Sequence, residues 1–299
     1  MLERLWIYQR ERFPLGALGL LSLMLGAATT VFSALAAGAA TPAAGTIAAA
    51  AASALLVFLQ MRILDEFKDF EDDARFRPYR PVPRGLVSLG ELRTGLAAAA
   101  LVQIAIAVAM DLRLLWLLAA LWGYLFLMTE EFFVREWLRA HPFAYMVSHN
   151  PFGALIALYA SAFEWLPRSG EPRPALALFA LAALFNTSLL EIGRKIRAPQ
   201  DEETGVVTYS AAWGRTRAVL AWSGVFALVL VSGWLAARAT GHGAVFVLLM
   251  APLGVAAAIV CRRYLRNPQT RLAKAIEGLS GLATLMLYAA LGPIAALLP

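Results

Sequence analysis

Residues 60–93 read QMRILDEFKDFEDDARFRPYRPVPRGLVSLGELR. Between Asp65 and Asp73 this stretch gathers six of the 20 acidic residues, and Arg75, Arg77, Arg80 and Arg84 follow at once. Asp65, Asp69 and Asp73 recur at i, i+4 and i+8, so on a helix they form one stripe, about 6 Å apart along the axis. Like charges at that spacing destabilise a bare helix. A divalent cation removes the penalty, and Mg²⁺ suits one or two carboxylates with water and phosphate oxygens completing its shell. Pro78, Pro81 and Pro83 end the helix, and the arginines on that turn can hold phosphate through paired N–H donors. Two readings fit this pattern: a site for a metal and a diphosphate, or a solvated charged loop beside a membrane.

The membrane follows from the rest of the chain. Its 299 residues are 60% hydrophobic and 15% charged, with a mean hydropathy of +0.66, which is incompatible with a soluble globular protein. A single cysteine, Cys261, excludes an intrachain disulfide and a thiolate metal cage. The net charge of +6 lies between apolar segments, so its expected partner is anionic lipid rather than nucleic acid. The first apolar run is long enough to remain as a span, so no cleaved signal peptide is expected.

Residues 1–14 form an amphipathic lead-in with Trp6 and Tyr8 as interfacial anchors. Apolar runs predict nine spans, near 15–37, 45–67, 94–110, 113–132, 143–163, 174–194, 217–237, 243–261 and 275–297. All but four of the 26 Lys and Arg residues fall on one side of these spans, the exceptions being Arg113, Arg168, Arg173 and Arg238. That side is expected to be cytoplasmic, with the N-terminus inside and the C-terminus outside; in a bacterium this is the inner membrane. Within the spans His149, Asn150, Gln103 and Asn186 are the polar exceptions, best read as bonding to a neighbouring helix or to backbone.

Four spans after the first charged loop comes a second, LLEIGRKIRAPQDEETGVVTYSAAWGRTR, from Leu189 to Arg217. It joins Glu191, Asp201, Glu202 and Glu203 to Arg194, Lys195 and Arg197. Charged loops at equivalent places suggest an all-α polytopic fold, two four-helix units plus one helix around a central cavity, forming a single domain over residues 1–299. The two loops, both on the cytoplasmic side, would cap that one cavity from both sides.

On these residues the chain resembles the UbiA superfamily of intramembrane prenyltransferases. That family carries Asn-x-x-x-Asp-x-x-x-Asp followed by Pro-x-Arg-Pro-x-Pro-x-Gly. Asp65, Asp69 and Asp73 are in register, with Asp65 in the place of the Asn, and residues 78–85 (PYRPVPRG) match the turn. Arg12-Phe13-Pro14-Leu15-Gly16 is similar to the family's approach to its first span. The second motif departs. If Gly205 is the family's glycine, Asp201 takes the place of its last Asp, but the preceding Asp position holds Arg197. Glu191 lies earlier, with Lys195 one turn on.

The resemblance implies Mg²⁺-dependent transfer of a prenyl group from a polyprenyl diphosphate to an acceptor, most often aromatic, inside the membrane. It implies Asp65, Asp69 and Asp73 as catalytic metal ligands, and Glu191 and Asp201 as ligands of a second metal. Arg77, Arg80, Arg135, Arg139, Lys195 and Arg197 are the candidates for binding the diphosphate. Asp72 lies close to the first stripe, and Glu202 and Glu203 are weaker candidates beside Asp201. Three other readings stay open. An intramembrane terpene cyclase would use the same ionisation with no external acceptor. A secondary transporter would place its ionisable groups near the midplane, whereas the acids here cluster at one end. A non-catalytic scaffold has only the altered second motif in its favour.

Overall fold

A computed structural model describes residues 2–298 and shows an all-helical chain. The helices are α1 (Leu2–Arg12), α2 (Leu15–Ala36), α3 (Ala44–Lys68), α4 (Phe70–Phe76), α5 (Leu89–Met110), α6 (Leu114–Thr129), α7 (Arg135–Ala140), α8 (Pro142–His149) and α9 (Pro151–Ser169). They continue as α10 (Ala175–Arg194), α11 (Tyr209–Ala212), α12 (Arg215–Ala239), α13 (Gly243–Arg266), α14 (Thr270–Leu291) and α15 (Pro293–Ala296). Among the described residues, seven helical segments are long and apolar enough to cross a membrane: α2, α3, α5, α10, α12, α13, and α14 together with α15. The 16 residues of α6 are equally apolar but shorter.

The span predicted at 143–163 is two helices. Pro151 has no N–H to donate to Val147, so the ladder shifts to an i→i+3 bond from Gly153 N to Asn150 O at 3.0 Å. Helix α9 then runs on to Ser169, beyond the predicted end, until Gly170 closes it in the left-handed conformation at φ 77°.

Close helix approach comes from small residues, as expected where lipid supplies no hydrophobic drive between helices. A Cβ on Gly26 of α2 would stand 2.6 Å from the Ala51 backbone nitrogen of α3, and one on Gly153 of α9 would stand 1.8 Å from Thr187 Oγ1 of α10. Helix α2 also packs on α9 and α14, and α10 on α9, α12 and α14, so these two are the inner members of the bundle. Buried polar side chains bond across helices. Gln103 Nε2 donates to Ser53 O at 3.0 Å, Asn150 Nδ2 to Ser188 Oγ at 2.7 Å, and Thr284 Oγ1 to Asn186 Oδ1 at 2.9 Å. His149 Nδ1 lies 2.9 Å from the carbonyl oxygen of Tyr145, in its own helix.

Three ion pairs strap α1 to the first charged loop: Arg4 with Glu91, Glu11 with Arg84, and Arg12 with Glu66. Beneath it, Tyr8, Ile63, Val82, Val87 and Leu92 form a small apolar cluster that seats the Pro-rich turn. Ser88 then starts α5 with a capping box, exchanging hydrogen bonds with Glu91.

Candidate functional site

The helical ladder survives the boundary between α3 and α4. Asp69 bends there at φ −96° and ψ 6°. The Asp69 N–H still donates to Asp65 O at 2.9 Å, and the Asp73 N–H to Asp69 O at 2.8 Å. The three carboxylates are therefore one turn apart along a single bent helix, but their surroundings differ. Asp73 is 1% exposed and is held by Arg77 at 2.8 Å and Arg80 at 2.5 Å. Asp65 has Arg62 at 3.5 Å. Asp69 is half-buried and, among the described residues, forms no ion pair. Burial pushes its carboxyl above the ordinary range; Lys68 opposes that push and the Asp73 charge adds to it.

The Pro-rich turn brings Arg80 back to Asp73. Pro78 ends α4, Arg80 N bonds to Arg77 O at 3.0 Å, and Gly85 completes the turn at φ 75°. Arg77 and Arg80 are thereby oriented by a buried carboxylate, and Arg77 Nε is a buried donor with no partner.

A third segment reaches this place from the end of α6. Glu131, Phe132 and Phe133 all adopt positive φ, at 50°, 52° and 61°. A non-glycine residue there costs roughly 1–2 kcal/mol, so a run of three must be held by its surroundings. The hold is Glu131, which is buried and paired with Lys68 Nζ at 2.9 Å. Lys68 also donates to Tyr145 Oη at 3.2 Å. Tyr145 stacks on His149 with ring centroids 3.9 Å apart. Farther out, Arg139 pairs with Asp72 at 2.7 Å, while Arg135 is exposed at the start of α7.

The second charged loop meets the first at two points. Lys195 Nζ lies 5.7 Å from the centre of the Tyr145 ring, which Lys68 Nζ approaches to 5.2 Å. Gly205, at φ 79°, sits against Phe76, and a Cβ there would stand 2.7 Å from Phe76 Cδ1. Gly205→Ala is therefore expected to destabilise the loop by about 1–2 kcal/mol from the backbone alone, plus the clash. Thermal unfolding in detergent should show this, and Phe76→Ala should recover only the steric share.

Three of the four acids of the second loop are already engaged. Glu191 holds Arg194 at 2.5 Å and Lys195 at 2.8 Å. Asp201 accepts from Thr270 Oγ1 at 3.1 Å, at the start of α14. Glu202 accepts from Thr208 Oγ1 at 2.6 Å and Ser210 Oγ at 2.7 Å, closing its own loop. Glu203 is exposed. The Arg197 backbone is fixed on both sides, its N–H to Ser210 Oγ at 2.8 Å and its carbonyl from Tyr264 Oη at 2.5 Å. Its side chain shares a cavity of about 390 Å³ with Asp201, Lys274 and Glu277, at the α14 end of the loop.

The Tyr145 ring thus has Lys68 from the first charged loop and Lys195 from the second beside it, Glu191 pairs with Lys195, and Arg197 and Asp201 line the cavity toward α14. Among the described residues no three His, Cys, Asp or Glu side chains are gathered as a ready-made metal cage. Lys68, Glu131, Tyr145 and Tyr209 also lie at this place, and motif reading passes over them. Glu130-Glu131, at the edge of an apolar run, is the one signal in the sequence that could have found any of them.

The profile of the UbiA prenyltransferase family matches residues 26–297. No curated protein sequence matches the chain. Two solved structures share its fold. One, from work on digeranylgeranylglyceryl phosphate synthase in membranes, is 14% identical with a TM-score of 0.67, covering 99% of this chain and 100% of the other. The second, an apo UbiA homolog from Aeropyrum pernix K1, is 15% identical with a TM-score of 0.71, covering 91% and 96%. With the family profile matched over nearly its whole length, the chain belongs to the UbiA prenyltransferase family.

Proposed function

We propose that this protein transfers a prenyl group from a polyprenyl diphosphate to a lipophilic acceptor, with Mg²⁺ held by Asp65 and Asp69. The observation that carries this reading is the unequal treatment of the three stacked carboxylates. Asp73 is committed to Arg77 and Arg80, whereas Asp69 has no ion pair among the described residues and is raised by burial. A divalent cation favours the charged form of such a carboxylate, and two carboxylates match what Mg²⁺ takes when phosphate and water supply the rest. The orphaned Arg77 Nε fits the same ligand, because a phosphate oxygen would accept its hydrogen bond.

The residues divide the work. Asp73 positions Arg77 and Arg80, and these two bind the diphosphate as its bond to the allylic carbon breaks. The Lys68–Glu131 pair holds the turn after α6 against the first motif, and Arg139 does the same at the rim through Asp72. The apolar bundle excludes water from the allylic cation. A bound divalent cation supplies neutralisation of the diphosphate charge. The acceptor belongs to the aromatic class that the family resemblance implies. We take α2, α3, α5, α6, α9, α10, α12, α13 and α14 as nine crossings in two units plus one, with the charged loops and N-terminus cytoplasmic.

Incubation with Mg²⁺, geranyl to longer prenyl diphosphates and a panel of acceptors, read by mass spectrometry, tests this. Prenylated acceptor is expected, and chelation by EDTA is expected to remove it. Full turnover in chelator would sink the metal assignment. Cyclic hydrocarbon from prenyl diphosphate alone would establish the cyclase instead.

A further inference from the structure

The second charged loop has the wrong chemistry for a metal and the right chemistry for a phosphate. Three of its four acids have partners, Glu191 in Arg194 and Lys195, Asp201 in Thr270, and Glu202 in Thr208 and Ser210, and the fourth, Glu203, is exposed. Of its bases, Lys195 is turned to the shared site, Arg194 shares Glu191 with it, and Arg197 lies toward α14. Lys195 Nζ lies 5.2 Å from the centre of the Tyr209 ring and 5.7 Å from that of Tyr145, the ring that Lys68 approaches from the first motif. The Arg194 side chain is about half exposed and pairs with Glu191 at 2.5 Å. Beside Lys195 is a donor without an acceptor. Tyr209 is 1% exposed and its Oη is buried with no hydrogen-bond partner. Its ring is fixed by stacking on Trp213, with centroids 4.1 Å apart, and its N–H bonds to Lys195 O at 3.0 Å. An orphaned buried hydroxyl carries a desolvation cost unless a ligand satisfies it.

We infer that Arg194, Lys195 and Tyr209 form a metal-free phosphate site, so that the protein holds a diphosphate between one divalent cation on the Asp65–Asp69 side and this cationic wall on the other. Glu191 is the clamp that presents the two bases and is not a metal ligand. Arg194 and Lys195 follow it by one helical turn at the end of α10, where cations are also favoured by the helix dipole. An ammonium and a guanidinium meet phosphate oxygens through charge-assisted hydrogen bonds, which is the neutralisation a second metal would otherwise supply. This inference rests on the prenyl diphosphate reading above.

The test separates the two. Full-length protein in detergent is titrated with Mn²⁺ in the presence of farnesyl thiolodiphosphate, and bound Mn²⁺ is counted by electron paramagnetic resonance. Binding of the thiolodiphosphate in EDTA is measured by calorimetry. We expect one Mn²⁺ per chain and weak metal-free binding that falls about tenfold or more in Lys195→Ala. Tyr209→Phe keeps the ring and its stacking, and is expected to weaken metal-free binding by several-fold while folding normally. Glu191→Gln gives opposite signs. As a clamp, its loss leaves the Mn²⁺ count at one and metal-free binding equal or tighter; as a metal ligand, its loss lowers the count. Two Mn²⁺ per wild-type chain, or metal-free binding unchanged in both Lys195→Ala and Tyr209→Phe, would overturn the inference. No Mn²⁺ at all would instead overturn the Asp65–Asp69 assignment, while lysine-dependent binding in EDTA would still uphold the second-loop site.

Discussion

Asp69→Ala is expected to lower turnover below about a tenth of the wild-type rate, because losing a charge-neutralising ligand costs several kcal/mol in the transition state. Stability should not fall with it. Asp69 forms no ion pair among the described residues, and burial works against its charge, so removing the carboxylate strips nothing that holds the fold. Asp73→Ala behaves differently. It also abolishes turnover, but it leaves Arg77 and Arg80 without the buried carboxylate that orients them, so its unfolding temperature drops as well. Measuring rate and thermal unfolding in detergent for both variants separates a ligand from a positioning residue. Retention of more than a tenth of the activity in Asp69→Ala, with Mg²⁺ present, would contradict metal ligation.

The second large effect is on stability. Glu131→Ala leaves Lys68, whose side chain is 8% exposed, with Tyr145 Oη as its remaining polar contact. Removing one member of a buried ion pair costs about 3–5 kcal/mol, because the other charge stays desolvated. The run of left-handed residues after α6 loses its anchor at the same time. Lys68→Met combined with Glu131→Leu removes both charges and should restore most of the loss. If Glu131→Ala unfolds at the wild-type temperature, the pair does not hold this turn, and the strain at residues 131–133 has another source.

Much of this molecule is legible locally. The apolar runs, the break imposed by Pro78 and the capping box at Ser88 depend on neighbours within a turn or two. The i, i+4 stripe of Asp65, Asp69 and Asp73 does too, and the helix keeps that register even through the bend at Asp69. Pro151 is equally visible, yet the mostly apolar residues 143–163 read as one span across it, since hydropathy alone cannot sense a missing backbone donor. The second loop was harder to read. Its composition supports a metal site or a set of ion pairs equally well, because the charges alternate closely enough for either.

Hydropathy, helical periodicity and proline are enough to specify a helical membrane protein with two charged loops and an acidic helix ending in an arginine turn. The bend at Asp69, and which charges are available, depend on packing. Lys68 meets a glutamate from the turn beyond α6, Asp201 goes to a threonine at the start of α14, and two lysines from different loops face one tyrosine ring. Whether a carboxylate can bind a metal depends on what already neutralises it across space, and an ion pair acts over a few ångströms of separation that the order of residues does not contain.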